Sequence, residues 1–207
     1  MRIAEWNSLN AAEQKQALAR PSHKDDAAVV ASVTAIVRKV KEQGDKAVRE
    51  YSAKFDKSDR DDYRVAQTDI DAALKNMNPE LRAAMELAIK NVRAFHEAEK
   101  PHTITTETMP GVTCAMYWRA IDTVGLYVPG GNAPLYSVLY MLALPAKIAG
   151  CTKIIVCSPP QKNGKINADV LAAAALCGVN EIYAIGGAQA IAAMAYGTST
   201  IPKVDKI

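Results

Sequence analysis

The sequence predicts an α/β protein: a helical N-terminal region followed by an incomplete Rossmann-like parallel sheet. Three observations carry this. Val29, Val30, Val33, Ile36, Val37 and Val40 recur at helical spacing as one apolar stripe. After Pro101 the pattern turns β-rich. From Ile121 onward, short apolar runs alternate with alanine-rich helical stretches, as in parallel strands joined by right-handed crossovers.

Residues 1–21 read as an N-terminal arm, where Asn10 and Glu13 have capping-box spacing and Pro21 stops the helix. Residues 22–120 read as a helical region with a β-hairpin, part of a first α/β domain. Gly44 is placed to end one helix and Asp45 to cap the next, which presents Ala47, Val48, Tyr51 and Phe55. Residues 56–62, from Asp56 to Asp62, read as a charged, solvated turn. Thr68 and Asp71 open a short helix in capping-box style. Asn78-Pro79 starts a long helix with core face Leu81, Ala84, Met85, Ala88, Val92 and Phe95. His96 sits at that helix's end, near the negative pole of its dipole. Residues 103–108 and 112–118 form a hairpin closed by Pro110-Gly111, a pair suited to a type II turn.

Residues 121–207 read as a truncated Rossmann-like domain. Strands fall at 124–128, 153–157 and 181–185. Helices fall at about 133–149 (with Pro145 inside), 168–177 and 187–196, and Val204–Ile207 begins a fourth strand. The chain stops before that unit's loop, which predicts a fragment of a longer protein.

Composition narrows the function. Lys plus Arg is 25 against 22 Asp plus Glu, and a net charge of +3 argues against a dedicated nucleic-acid surface. The chain is 49% hydrophobic and 23% charged, which excludes disorder. Its longest apolar stretch, 138–146, is too short to span a bilayer, and its first ten residues lack a signal peptide's apolar core. The expected location is cytoplasmic, with no membrane partner. Cys114, Cys151, Cys157 and Cys177 are then reduced thiols filling small spaces in the core. His23, His96 and His102 have no metal-ligand spacing, and no Ser-His-Asp or Cys-His arrangement is present. The expectation is no metal site and no catalytic residue within this chain.

Two loops remain as candidates, both at carboxyl ends of strands where ligands of open parallel sheets bind. One is Pro129-Gly130-Gly131-Asn132 and the other is Gly186-Gly187-Ala188-Gln189, each leading into a helix. Such turns are either phosphate sites, with helix N–H groups unobstructed by a Cβ, or simply tight turns. Neither is the ordinary GxGxxG fingerprint. Tyr127 offers a ring face or hydroxyl, or is a half-buried strand residue. Gln189 offers its amide to a ribose, or is a solvated first-turn residue. The working expectation is that the two turns end neighbouring parallel strands and form half of a dinucleotide cradle.

The blocks Val124-Gly-Leu-Tyr-Val-Pro-Gly-Gly-Asn-Ala-Pro134, Pro145-Ala-Lys-Ile-Ala-Gly-Cys151, Cys157-Ser-Pro-Pro160, Gly186-Gly-Ala-Gln-Ala-Ile-Ala192 and Pro202-Lys-Val-Asp-Lys-Ile207 resemble, in order and spacing, histidinol dehydrogenases. Gly44-Asp45, Tyr51, Phe55-Asp56, Asn91 and Phe95-His96-Glu97 extend the resemblance into the N-terminal part. Ala120 and Met116 depart from that family's usual Pro and Gln. The resemblance implies a homodimeric enzyme of histidine biosynthesis that oxidises L-histidinol to L-histidine through histidinaldehyde, using NAD and zinc. It implies that residues 121–207 form the NAD-binding domain, with Tyr127, Gln189, Gly130 and Gly131 as cofactor-binding residues. The zinc ligands and base chemistry belong to the half beyond Ile207, so the chain alone is expected to be inactive. The alternatives are an inert nucleotide-binding or dimerising module, and a sister dehydrogenase acting on a sulfonated diol.

Overall fold

The structure, a computed structural model, describes residues 4–19, 27–130 and 135–207. Two compact units divide the chain, residues 1–34 and residues 35–207.

In the first unit, α1 (Ala11–Leu18) begins with the expected capping box. Asn10 Oδ1 accepts from the backbone N–H groups of Ala12 and Glu13, each at 3.0 Å, and Glu13 Oε2 accepts from the Asn10 N–H at 2.8 Å. Pro21 and Arg20, expected to stop that helix, lie outside the described residues, as does His23.

α2 (Ala27–Gln43) follows the predicted stripe, yet only Ile36 and Val40 are buried, whereas Val29, Val30 and Val33 are exposed. In the second unit Gly44, at φ +53, turns the chain into α3 (Asp45–Tyr51). Gly44 itself is the N-cap, so Asp45 does not cap α3. Its carboxylate instead accepts from Thr200, from Oγ1 at 2.6 Å and from N–H at 3.2 Å. A π-turn, Ser52–Asp56, follows. α4 (Gln67–Lys75) starts after Ala66 without a side-chain cap, so the capping box expected at Thr68 is not formed. α5 (Pro79–Glu99) has its predicted Asn78 cap and proline start. Met85 and Ile89 are its buried residues, while Phe95, expected in the core face, is 66% exposed. His96 Nδ1 lies 2.6 Å from Glu99 Oε2 at the helix end.

β1 (Ile104–Met109) and β2 (Val112–Met116) form the antiparallel hairpin, with Gly111 at φ +76 as a type II turn requires. Every residue of both strands is exposed. Cys114 lies among them, so it does not fill core space as expected.

β3 (Thr123–Tyr127), β4 (Lys153–Ser158) and β5 (Glu181–Ala184) form a parallel sheet in that order. The crossovers are α6 (Tyr136–Ala149), which holds Pro145, and α7 (Ala168–Leu176); α8 (Gly187–Tyr196) follows β5. Where a fourth strand was expected, residues 204–207 make only an isolated parallel bridge, Lys206 with Val124 of β3, and the Gly125 N–H donates to the Lys206 carbonyl at 2.8 Å. On the far side, residues 63–65 run antiparallel to β5. The Val65 N–H donates to Ile182 O at 2.8 Å and the Ala184 N–H to Tyr63 O at 2.7 Å.

One face of the sheet packs Val124, Leu126, Val156 and Ile182 against α4–α7. The other packs Ile155, Cys157 and Tyr183 against α2, α3 and α8. Gly125 faces α8, and a Cβ there would lie 2.6 Å from Met194 Sδ, so the glycine admits a close helix. No helix among the described residues is long and apolar enough to cross a membrane.

Candidate functional site

Parallel pairing aligns Tyr127 with Cys157 and Cys157 with Tyr183, one row of side chains at the sheet's carboxyl end. The two glycine turns leave β3 and β5. These strands are not neighbours, as the sequence reading supposed, because β4 lies between them. Pro159, just past β4, closes the gap. A Cβ on Gly130 would lie 2.5 Å from Pro159 Cγ, and one on Gly186 2.5 Å from Pro159 Cβ. Only glycine lets both turns converge on that ring. Gly131 and Asn132 lie outside the described residues.

Tyr127 ties the turns together. Its hydroxyl oxygen accepts from the Gly187 N–H at 2.9 Å. Burial raises its pKa, and the Gly187 bond opposes that rise. Gly187 itself sits at φ +64.

Asp56 is the residue sequence reasoning missed. The expectation of a solvated turn fails because the π-turn carries Asp56 inward, half-buried, onto the start of α8. Its Oδ2 accepts from the Gly186 N–H at 3.0 Å and from Gln189 Nε2 at 3.2 Å. Burial raises its pKa, against the pull of these two donors. Lys57 ends the π-turn at φ +54, the one non-glycine residue at positive φ among those described. The only hint in the sequence was the Phe55-Asp56 pair within the resemblance.

Gln189 is not a solvated first-turn residue: it is fully buried. Its Nε2 is held by Asp56, and its Oε1 has no hydrogen-bond partner among the described residues. A Cβ on Gly187 would lie 2.6 Å from that oxygen, so Oε1 sits directly under the turn. A buried acceptor without a donor is costly, of order 1–3 kcal/mol.

The phosphate reading of the second turn does not hold as stated, because a carboxylate of the chain itself already sits at the α8 N-terminus. The buried cysteines, Cys157 in this row and Cys177 at the end of α7, are held as neutral thiols. Burial pushes the Cys157 thiol up to about 12 and the Cys177 thiol up to about 11, so neither is a thiolate near neutral pH. Among the described residues, no group of three or more His, Cys, Asp or Glu side chains is placed to hold a metal ion. A cavity of about 530 Å³ lies elsewhere, between α4 and α7, lined by Val65, Met77 and Leu171 with Arg60, Arg64 and Lys165.

A family model described as histidinol dehydrogenase matches residues 18–207. The histidinol dehydrogenase of Escherichia coli (strain K12) is 48% identical over 205 residues, 99% of this chain and 46% of that protein. That of Salmonella typhimurium (strain LT2) is 47% identical over the same shares. The crystal structure of histidinol dehydrogenase from Elizabethkingia anophelis superposes with a TM-score of 0.88 at 40% identity, covering 96% of this chain and 46% of that one. The chain thus spans about half the length of the relatives it matches. The order of the helices, the parallel sheet with its two glycine turns and the match along nearly the whole chain agree: this chain belongs to the histidinol dehydrogenase family.

Proposed function

We propose that this chain supplies the nucleotide-side half of an NAD-dependent histidinol dehydrogenase, an oxidoreductase of histidine biosynthesis acting in the cytoplasm as a homodimer. The carrying observation is the bond from the Gly187 N–H to Tyr127 Oη, which joins two glycine turns at the carboxyl end of a parallel sheet. The unpartnered Oε1 of Gln189 fits a dinucleotide that brings a hydrogen-bond donor to this end. The cofactor-binding residues in this reading are Tyr127, Gln189, Gly130 and Gly131. NAD, when bound, is the hydride acceptor for the two oxidations from alcohol to acid. The residues of this chain bind and orient it.

Zinc does not fit the described residues, since no donor cluster exists among them, and no step here is routed through it. The proton-transferring base is likewise assigned to the rest of the protein. Mixing this chain with the complementary half of a relative should restore NADH formation from L-histidinol, while either half alone stays silent. Steady NADH formation by the chain alone would overturn the division of labour. Failure of the chain to bind NAD in either state would favour an inert dimerising module.

A further inference from the structure

Helix α8 begins where an anion would be expected, yet its first N–H groups are taken. Gly186 donates to Asp56 and Gly187 donates to Tyr127. Asp56 also fixes the Gln189 amide, holding Nε2 on its own side and leaving Oε1, fully buried and unpartnered, beneath Gly187. No room is left beside the carboxylate: a Cβ on Gly186 would lie 2.8 Å from Asp56 Oδ1. The chain maintains this arrangement at a cost, because it requires a π-turn and a left-handed Lys57.

We propose that Asp56 is a positioning residue that fills the anion place at the α8 N-terminus and sets the polarity of Gln189. The 186–189 turn is then closed to phosphate, and a ligand meets it with a neutral hydroxyl or amide group and not with an anion. This deepens the NAD reading, on which the identity of that ligand rests. A dinucleotide would meet the turn with a ribose hydroxyl or a carboxamide, and its pyrophosphate would be kept away by like charge.

Asp56→Asn tests the assignment. The substitution keeps the shape and removes the charge, and its amide oxygen can stand in for Asp56 Oδ2, which accepts from both the Gly186 N–H and Gln189 Nε2. Inorganic pyrophosphate is titrated into the wild-type chain and into D56N at low salt, following the backbone amide signals of Gly186 and Gly187. Expected are no saturable shift in the wild type and saturable binding in D56N, tighter by roughly tenfold or more, as removal of one like charge beside an anion implies. Asp56→Ala, which removes the charge and also frees the Gly186 N–H, should gain affinity at least as much as D56N does. Saturable pyrophosphate shifts at Gly186 and Gly187 in the wild type overturn the proposal, even if a variant fails to fold. Equal affinities in wild type and D56N overturn it as well. The NAD reading is judged separately, by whether NAD moves any signal of the wild-type chain, and the pyrophosphate comparison does not depend on that result.

Discussion

The five strands among the described residues build two sheets with opposite surroundings. In β3–β5 the central residues are buried on both faces, between α4–α7 on one side and α2, α3 and α8 on the other. In β1–β2 every residue is exposed, including Ile104, Met109, Val112 and Met116. Both obey the same backbone rules, but only the first converts its side chains into stability by removing apolar surface from water. A lone two-stranded hairpin is marginal in water. This one depends on its turn and its cross-strand bonds, and its apolar residues contribute little within the chain.

The contrast can be broken at the buried end first. Leu139→Ala, at a fully buried position of α6, should cost about 3 kcal/mol in urea unfolding. A loss under about 1 kcal/mol would mean the parallel sheet is not packed as described. Gly186→Ala should follow at about 1–3 kcal/mol, because the added methyl meets both Pro159 and Asp56. An unchanged midpoint would show that the convergence on Pro159 is loose. Tyr127→Phe should cost about 1 kcal/mol by leaving the Gly187 N–H without its acceptor, and its thermal midpoint should fall accordingly.

A smaller effect concerns acid. Burial raises the Asp45 pKa, but hydrogen bonds from the hydroxyls of Thr200 and Thr198 and the N–H groups of Ser199 and Thr200 outweigh it, so the net shift is downward from 3.8. A carboxyl depressed in the folded state stabilises fully above its unfolded value. That contribution is lost as pH falls below about 4 and through the folded pKa. Thr200→Val should lower stability at neutral pH, where this contribution is fully present, and flatten the acid limb, so that variant and wild type converge as pH falls through the folded pKa. An identical acid limb in T200V would remove the argument. Smallest of all, Val112→Thr in the hairpin should change unfolding free energy by no more than about 0.5 kcal/mol. A larger loss would mean that β1–β2 has cover that its exposure does not reveal.

Where chemistry is local, the sequence was readable. Asn10 with Glu13, Asn78 with Pro79, and Gly44 and Gly111 each fix a cap or turn through neighbours a few positions away. The alternation of strand and helix after Ile121 was readable for the same reason, and so were the two glycine turns. Strand order was not, because nothing in the spacing of the turns says that β4 lies between β3 and β5. Asp56 was hidden more deeply. Its partners lie 130 and 133 positions away, and a charged run from 56 to 62 looks solvated in any local window. The fate of Val29, Val30 and Val33 was misread because helical periodicity identifies an apolar stripe without saying how far along it the cover extends.

The pairing of residues 63–65 along β5 has a practical consequence. Those residues pair with N–H and C=O groups on the outer edge of the last parallel strand, so the segment between the π-turn and α4 shares one backbone ladder with the parallel sheet. A trimmed version starting near Gln67 would keep every residue of the three parallel strands, yet it would bare β5 as a template for strand addition between molecules. Anyone shortening this protein to its glycine turns should keep Tyr63 to Val65, or expect fibres and precipitate in place of a smaller soluble domain.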